Sequence, residues 1–275
     1  MKNHGEVKTR LRGGLGNQLF QISAGVCLAK ACNIPLKINT KDLDASLEKN
    51  RGNFLHSLEL GNILNLSNLE YSFVKENFVS NRIYHRFGKK FQTNYISSSI
   101  DLLDKIASHS FETYRLRGFF QDLRIVEKSL NASPRVTLQT LRSEVVEITQ
   151  LVSLKNTITL HIRLGDFVSS NFDILSSDYF LSAIDEFATH FDDRDFEVVV
   201  FSDDIQGARG MLHDRDGIIF PELDWILTPA ELLYVLSNAK NLVISKSTLA
   251  WWAGYIGYFN GNRIWSPWTN RFEIG

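Results

Sequence analysis

Cysteine is scarce in this 275-residue chain: there are two, Cys27 and Cys32. Two cannot build a disulfide framework, and a separation of five along a stretch of helical periodicity suits no bridge, so a reducing compartment is expected. Five prolines and 17 glycines exclude collagen-like and linker-rich architectures. Neither sign of charge dominates. With 30 Lys and Arg against 31 Asp and Glu the net charge is −1, which argues against a dedicated nucleic-acid binder. Long apolar runs are missing as well. Nothing approaches the roughly 18 residues of a membrane span, and residues 1–9 lack the apolar stretch of a signal peptide. The expectation is a cytoplasmic protein, at most peripheral to the inner face of the membrane. No HExxH, CxxC or GxSxG motif occurs, so neither a structural metal nor a nucleophile elbow is expected.

What is present is a 44% apolar content, enough for a sizeable core. Residues 7–12 (VKTRLR) alternate as a half-exposed strand does. Gly13, Gly14 and Gly16 follow, and Leu19, Ile22, Val26 and Ala29 then recur at helical spacing, which predicts a helix over 17–31. Strand, glycine turn and helix open an α/β unit. Residues 36–39 read as the next strand, 41–115 carry little assignable pattern, and 123–131 and 136–152 read as helices. A polar break at 154–156 predicts a boundary between domains 1–153 and 154–275. Beyond it, strands at 157–162, 196–201, 217–220, 241–244 and 263–265 alternate with helices at 178–191, 205–212, 229–239 and 247–258. That rhythm implies a parallel sheet with helices on both faces. Such sheets bind ligands at the carboxyl ends of their strands.

Four strand ends carry polar residues. The first is GGLGNQ (13–18), where glycines permit close backbone approach and a helix start favours an anion. Its spacing fits neither the dinucleotide fingerprint nor the P-loop, and a tight turn without ligand is the plainer reading. The second is HIRLGD (161–166). His161 and Arg163 share one strand face and Ile158, Leu160 and Ile162 the other. Arg163 offers a planar fork for phosphate oxygens, or else a structural ion pair with Asp166. The third is Ser202, Asp203 and Asp204, where a carboxylate can accept from the two adjacent donors of a guanine edge, or simply cap a helix. The fourth runs from Ser245 to Thr248, hydroxyls at the start of an apolar, aromatic helix.

Together these pieces resemble glycosyltransferase family 11, the α-1,2-fucosyltransferases. GGLGNQLFQ (13–21) looks like that family's opening motif, RGFFQD (117–122) its central one, and HIRLGDF (161–167) its HxRRGDY. SDD (202–204) and STLAWWAGY (247–255) complete the set. Leu164 stands where the family has a second Arg, Phe167 replaces Tyr, and Ala250 replaces the Ser before the paired Trp. The resemblance implies an α/β GT-B fold, two Rossmann-like domains facing across a cleft, with the acceptor on the N-terminal side and the nucleotide sugar on the C-terminal side. It also implies GDP-fucose as donor, inversion at the anomeric carbon, transfer to a glycan hydroxyl such as galactose O2, and no metal or other cofactor.

In that reading Arg163, with Ser247 and Thr248 at the helix start, neutralises the charge that grows on the leaving β-phosphate. His161 orients the diphosphate or ribose, Asp203 or Asp204 reads guanine, and Gly14 and Gly16 let the backbone approach the donor. Asn17 positions the reacting centre, while Gln18, Phe120 and Gln121 meet the acceptor. Asp166 is a base or holds Arg163. Asp193-x-Asp195 and Asp214-x-Asp216 have the spacing of metal-dependent sugar transferases, but they lie in hydrophilic loops where a solvated acidic turn is the default. The basic and aromatic stretch 80–95 reads first as a solvated helix face, with contact to a lipid-linked acceptor at the membrane as its second reading. Two other classes fit the fold: a transferase of another nucleotide sugar, and a non-catalytic glycan-binding relative. A lectin has no need of a diphosphate site, so His161, Arg163 and Ser247 argue against the latter.

Overall fold

The computed structural model describes residues 5–44, 52–76, 93–108, 113–165, 174–191, 195–213, 217–221 and 227–268. The chain divides into two compact units with the break between Pro134 and Arg135. The helix expected to close the first domain therefore belongs to the second. It is also shorter than its apolar pattern suggested, running only from Ser143 to Val152. Its buried face, Val145, Ile148 and Val152, packs inside the second unit, and Arg142 just before it makes a bidentate pair with Glu231 at 2.7 and 2.9 Å. The polar stretch at 154–156 is a turn inside that unit.

The first unit is built on a five-stranded parallel sheet: β1 (Val7–Arg10), β2 (Leu36–Asn39), β3 (Tyr71–Val74), β4 (Thr93–Ile96) and β5 (Thr113–Leu116). The spatial order is β3-β2-β1-β5-β4. Helix α1 (Leu15–Cys32) starts two residues earlier than the periodicity predicted and is buried on nearly every side. Only Asn17, Lys30 and Ala31 escape full burial, because α1 packs on the sheet and also under α2 (Ser99–Ser108) and α3 (Leu123–Ser129). A helix enclosed this way is buried all round, Gln18, Gln21 and Ser23 included, which weakens the one-sided signal used to find it. Asn33 ends it in the left-handed conformation, φ 51°, a role Asn takes at a helix C-terminus when Gly is absent.

The second unit also has a five-stranded parallel sheet, with the two strands beyond the switch point in the opposite order: β6 (Thr157–Ile162), β7 (Glu197–Ser202), β8 (Ile218–Ile219), β9 (Asn241–Val243) and β10 (Arg263–Trp265). All pairs are parallel and the order is β10-β9-β6-β7-β8. With α4 (Ser143–Val152), α5 (Ser177–Ala188), α6 (Ile205–Met211), α7 (Pro229–Asn238) and α8 (Thr248–Phe259) this is a doubly wound half, strand order 3-2-1-4-5. Ile158, Leu160, Ile162, Val198 and Val200 pack against Phe180, Ala183, Ile184 and Phe187 of α5. The opposite face of β6 is buried too, and so are Val7, Lys8 and Thr9 of β1, so the half-exposed strand expected at 7–12 is instead a central, buried one. Helix α7 starts on a capping box, Thr228 with Glu231, and Pro229 at its first position. Helix α8 is the aromatic stretch. Trp251 and Trp252 are both fully buried, and Trp251 stacks on Tyr255 at 4.8 Å. Trp251, Trp252 and Tyr255 are core packing, whereas Tyr258 and Phe259 at the end of the helix are exposed.

Candidate active site

In each sheet the chain reverses its winding beside the first strand, between β1 and β5 in one unit and between β6 and β9 in the other. Open α/β sheets bind ligands at that point, outside the carboxyl ends of the strands. Most of the sequence-predicted residues collect at these two places.

In the second unit, β6 delivers His161 and Arg163. His161 is only 4% exposed, and its Nδ1 lies 2.7 Å from Ser245 Oγ at the end of β9. Burial pushes the imidazole pKa down to about 4, Arg163 adding to the effect and Asp203 opposing it. The ring is thus neutral near pH 7, and its partner is the turn before α8. Ser245 continues the same brace, its carbonyl accepting from Ser247 N–H at 2.8 Å. Ser247 is the N-cap of α8, with no side-chain cap hydrogen bond, and Thr248 opens the helix half-buried. Tyr179 of α5 fixes the end of β9 by donating to the Ile244 carbonyl at 2.9 Å.

Arg163 lies one residue past β6, and its Nε is 3.1 Å from Asp203 Oδ2. The other oxygen of Asp203 accepts from Leu164 N–H at 2.9 Å. Asp203 therefore grips the Arg163 loop by side chain and backbone together. Gly165 follows from that grip, since a Cβ there would stand 2.5 Å from Asp203 Oδ2. Asp204 does something else: it is the N-cap of α6, accepting from Gly207 N–H at 2.9 Å. A shallow depression beside this loop is lined by Arg163, Ser245 and Lys246 on its polar side and Ile174 and Leu175 opposite.

In the first unit, Gly13 takes φ 78° to turn the chain into α1, Gly14 is its extended N-cap, and Gly16 is buried in its first turn. Gln18 is fully buried, and its amide donates to the Gly13 carbonyl at 2.9 Å and the Gly52 carbonyl at 3.1 Å. It holds the glycine turn rather than projecting to solvent. Asn17 Oδ1 accepts from Gln121 Nε2 at 2.8 Å, a contact across 104 positions of sequence. Phe120 has φ 54° and is 4% exposed, whereas Phe119 is 39% exposed. The ring expected to meet a ligand is the buried one.

Asp166, Phe167, Asp193, Asp214 and Asp216 lie outside the described residues, as do residues 80–92 of the basic, aromatic stretch. Among the described residues no cluster of three His, Cys, Asp or Glu side chains is placed to hold a metal ion. No described helix is long and apolar enough to cross a membrane.

The profile of glycosyl transferase family 11 matches residues 2–267. The chain belongs to glycosyltransferase family 11. Curated relatives of this family-11 glycosyltransferase include an Escherichia coli protein named alpha-1,2-colitosyltransferase, 27% identical, with 98% of this chain and 94% of that protein covered. Another, from the same organism, is the O-antigen biosynthesis glycosyltransferase WbnK, 23% identical over 94% of this chain and 92% of that one. Among solved structures, the fucosyltransferase NodZ from Bradyrhizobium superposes with a TM-score of 0.52 at 11% identity, covering 92% of this chain and 93% of that one. NodZ has also been crystallised with GDP. At that identity the likeness concerns the fold, which is of the GT-B type.

One departure from the family pattern acquires a physical reason. Leu164 sits in the second unit's apolar core at 6% exposure, beside Ala208 and Phe180. In this family-11 enzyme the position of the second Arg points inward, and the loop presents one guanidinium. Three residues with chemistry at these sites were not singled out from sequence: Arg12, Phe119 and Lys246. Lys246 had a legible signal, because it stands between two flagged hydroxyl residues at a strand end. Arg12 and Phe119 had none, since an exposed Arg and one of two adjacent Phe are unremarkable until the turn shows which ring faces out.

Proposed function

We propose that this glycosyltransferase moves L-fucose from GDP-fucose to a hydroxyl of a glycan acceptor, galactose O2 being the expected position, with inversion at the anomeric carbon and without a metal. The observation that carries the reading is the brace at the β6/β9 switch point. A guanidinium held by a carboxylate lines the same depression as Ser245 and Lys246, the residues that lead into the helix start at Ser247. As the glycosidic bond breaks, negative charge accumulates on the β-phosphate of GDP. Arg163, Lys246 and the first N–H groups of α8 supply fixed positive potential in that neighbourhood, the task a metal performs in other transferases. His161 acts indirectly, by fixing Ser245 and the turn that opens α8. Asp204 caps a helix and Asp203 holds the Arg163 loop, and the acceptor sites left on one of these carboxylates are assigned to the guanine edge. Since Asp203 already serves Arg163, Asp166 is assigned as the general base that takes the acceptor proton. Asn17 and Gln121 are assigned to sugar hydroxyls, in keeping with their shared hydrogen bond on the acceptor-side unit.

A second reading keeps the mechanism and changes the sugar. The colitosyltransferase relative and the single guanidinium on the loop both favour another GDP-deoxyhexose. The reaction takes place in the cytoplasm, and a lipid-linked acceptor brings the enzyme to the inner face of the membrane. The deciding experiment measures GDP release from GDP-fucose, GDP-colitose and GDP-mannose, UDP release from UDP-galactose, and then transfer to an array of galactosides. Selective release from GDP-fucose, unchanged in EDTA, is expected. Preference for GDP-colitose establishes the second reading. Activity lost in EDTA and restored by Mn²⁺ sinks the metal-free mechanism.

A further inference from the structure

Residues 117–122 of the first unit are fixed more tightly than a connecting loop requires. Arg117 N–H donates to the Ile96 carbonyl at 2.9 Å, which ties the segment to β4. Gly118 follows, where a Cβ would stand 2.5 Å from the Ser97 carbonyl oxygen. Phe120 is then in the left-handed region, where a bulky side chain is a genuine outlier and strain is held only by the surroundings. Asp122 N–H closes back on the Phe120 carbonyl at 2.9 Å, and the Asp122 side chain caps α3. This conformation has one conspicuous result. It puts Phe120 into the core, leaves Phe119 at the surface, and brings the Gln121 amide to Asn17.

The exposed ring is not isolated. The Arg12 guanidinium lies over it, 4.6 Å from the ring centroid, and the Arg12 backbone is fixed by Gln21 Oε1 at 2.9 Å. Phe119 also borders the Gly13 turn, its ring edge 3.6 Å from where a Cβ on Gly13 would stand, and Gly13 in turn faces the Asn17 amide. An apolar ring, a planar set of N–H donors and two amides thus meet at the carboxyl ends of β1 and β5, the switch point of this sheet.

We infer that Arg12 and Phe119 form the subsite for a pyranose ring of the acceptor glycan. A pyranose has an apolar C–H face and a rim of hydroxyls, so it needs an aromatic ring bordered by hydrogen-bonding groups. Aromatic contact supplies area at low entropic cost, and the guanidinium and amides satisfy hydroxyls that would otherwise lose water. The strain at Phe120 is what turns the neighbouring ring outward. This inference rests on the transferase reading for its ligand class and assigns the acceptor to residues that reading had not used.

The probe is methyl β-D-galactoside, observed by saturation-transfer NMR on the whole protein and as an acceptor in steady-state transfer. Phe119→Ala should abolish most of the saturation transfer and raise the acceptor KM by about tenfold, more than it lowers kcat. Phe119→Tyr should bind like the parent, and Arg12→Lys should keep only part of the parent's binding, because an ammonium cannot stack as a plane. Tyr71→Ala, which removes another exposed aromatic of the same unit, is the control and should bind like the parent. Galactoside that fails to bind the parent, or that binds Phe119→Ala and the parent equally, overturns the subsite. GDP binding by the parent protein, measured alongside by calorimetry, tests the transferase reading separately.

Discussion

The two switch points use one device with opposite chemistry. Each ties the first strand, or the helix that follows it, to the segment following a neighbouring strand with a side-chain hydrogen bond. In the first unit it is Asn17 with Gln121 at 2.8 Å, in the second His161 with Ser245 at 2.7 Å. Around the first bond stand amides, an exposed phenyl ring and one guanidinium. Around the second stand Arg163, Lys246, a carboxylate and a helix start. The fold sets where a ligand can bind, and the side chains decide which part of the reaction each place can serve. Hydroxyl-rich sugar suits the first, a leaving diphosphate the second.

That division is broken most directly at Arg163. If the second site stabilises charge that develops on departure of GDP, Arg163→Ala should lower kcat by about 10²–10³, with GDP affinity falling less steeply. Arg163→Lys should recover only part of the rate, since an ammonium lacks the bidentate fork. Thermal unfolding separates this from damage to the fold, because Arg163 is partly buried against Asp203. A folded Arg163→Ala protein transferring sugar at the parent rate would remove charge stabilisation from this site.

A smaller effect sharpens the comparison within the second site. Asp203 acts through Arg163, so Asp203→Asn should cost about tenfold in kcat, the loss expected when a catalytic group is held less firmly. It should leave the acceptor KM unchanged. Asp204→Ala, one residue on, should leave kcat alone and cost about 1 kcal/mol of stability from the lost cap of α6. Equal effects of the two substitutions on rate would mean that Asp203 is another cap rather than a positioning residue.

How much of this was legible depended on whether a residue's task is local. The strands after residue 156 were read within a residue or so, because buried parallel strands are continuous apolar runs with polar ends. Residues 36–39 and 263–265 match their strands. The stretch 41–115 gave little, although it holds β3, β4, α2 and most of β5. The edge strand β3 is exposed on both faces, Tyr71 and Phe73 included, so its alternation of aromatic and polar residues marks no buried face. The sites divide in the same way. That Arg163 and Ser247 lie at strand ends could be read from pattern, and so could a capping role for one of the two aspartates. That Asp203 grips Arg163 across 40 positions could not, nor that Phe120 turns inward, because both depend on tertiary contacts and on one backbone angle.

The smallest effect at neutral pH belongs to His161, and it tests whether the second switch point is braced by a neutral ring. An unfolded histidine has a pKa near 6.5, and in the folded protein burial lowers it to about 4. Between those values the unfolded chain binds a proton that the native ring refuses, so stability contributed by neutral His161 is complete above pH 6.5 and drains away as pH falls toward 4. Burial sets the sign, and the charged groups facing the ring modify it. Arg163 deepens the shift and Asp203 opposes it, while Ser245 accepts or donates without changing charge. His161→Asn keeps a hydrogen-bonding group near Ser245 Oγ and cannot titrate. Its Tm should fall less than the parent's between pH 6.5 and 4, although both lose stability at still lower pH as Glu6, Asp122 and Glu231, whose carboxyls are held below their usual range, become protonated. The parent's transferase rate, measured per folded molecule, should not carry a His161 ionisation between pH 6 and 8. Parallel Tm curves for parent and variant across the acid range would show that the native ring takes up its proton as readily as the unfolded one. In that case the brace between β6 and β9 would be a charge-assisted hydrogen bond to Ser245 at acid pH, and the contrast with the uncharged Asn17–Gln121 bond would extend to the bridging residues themselves.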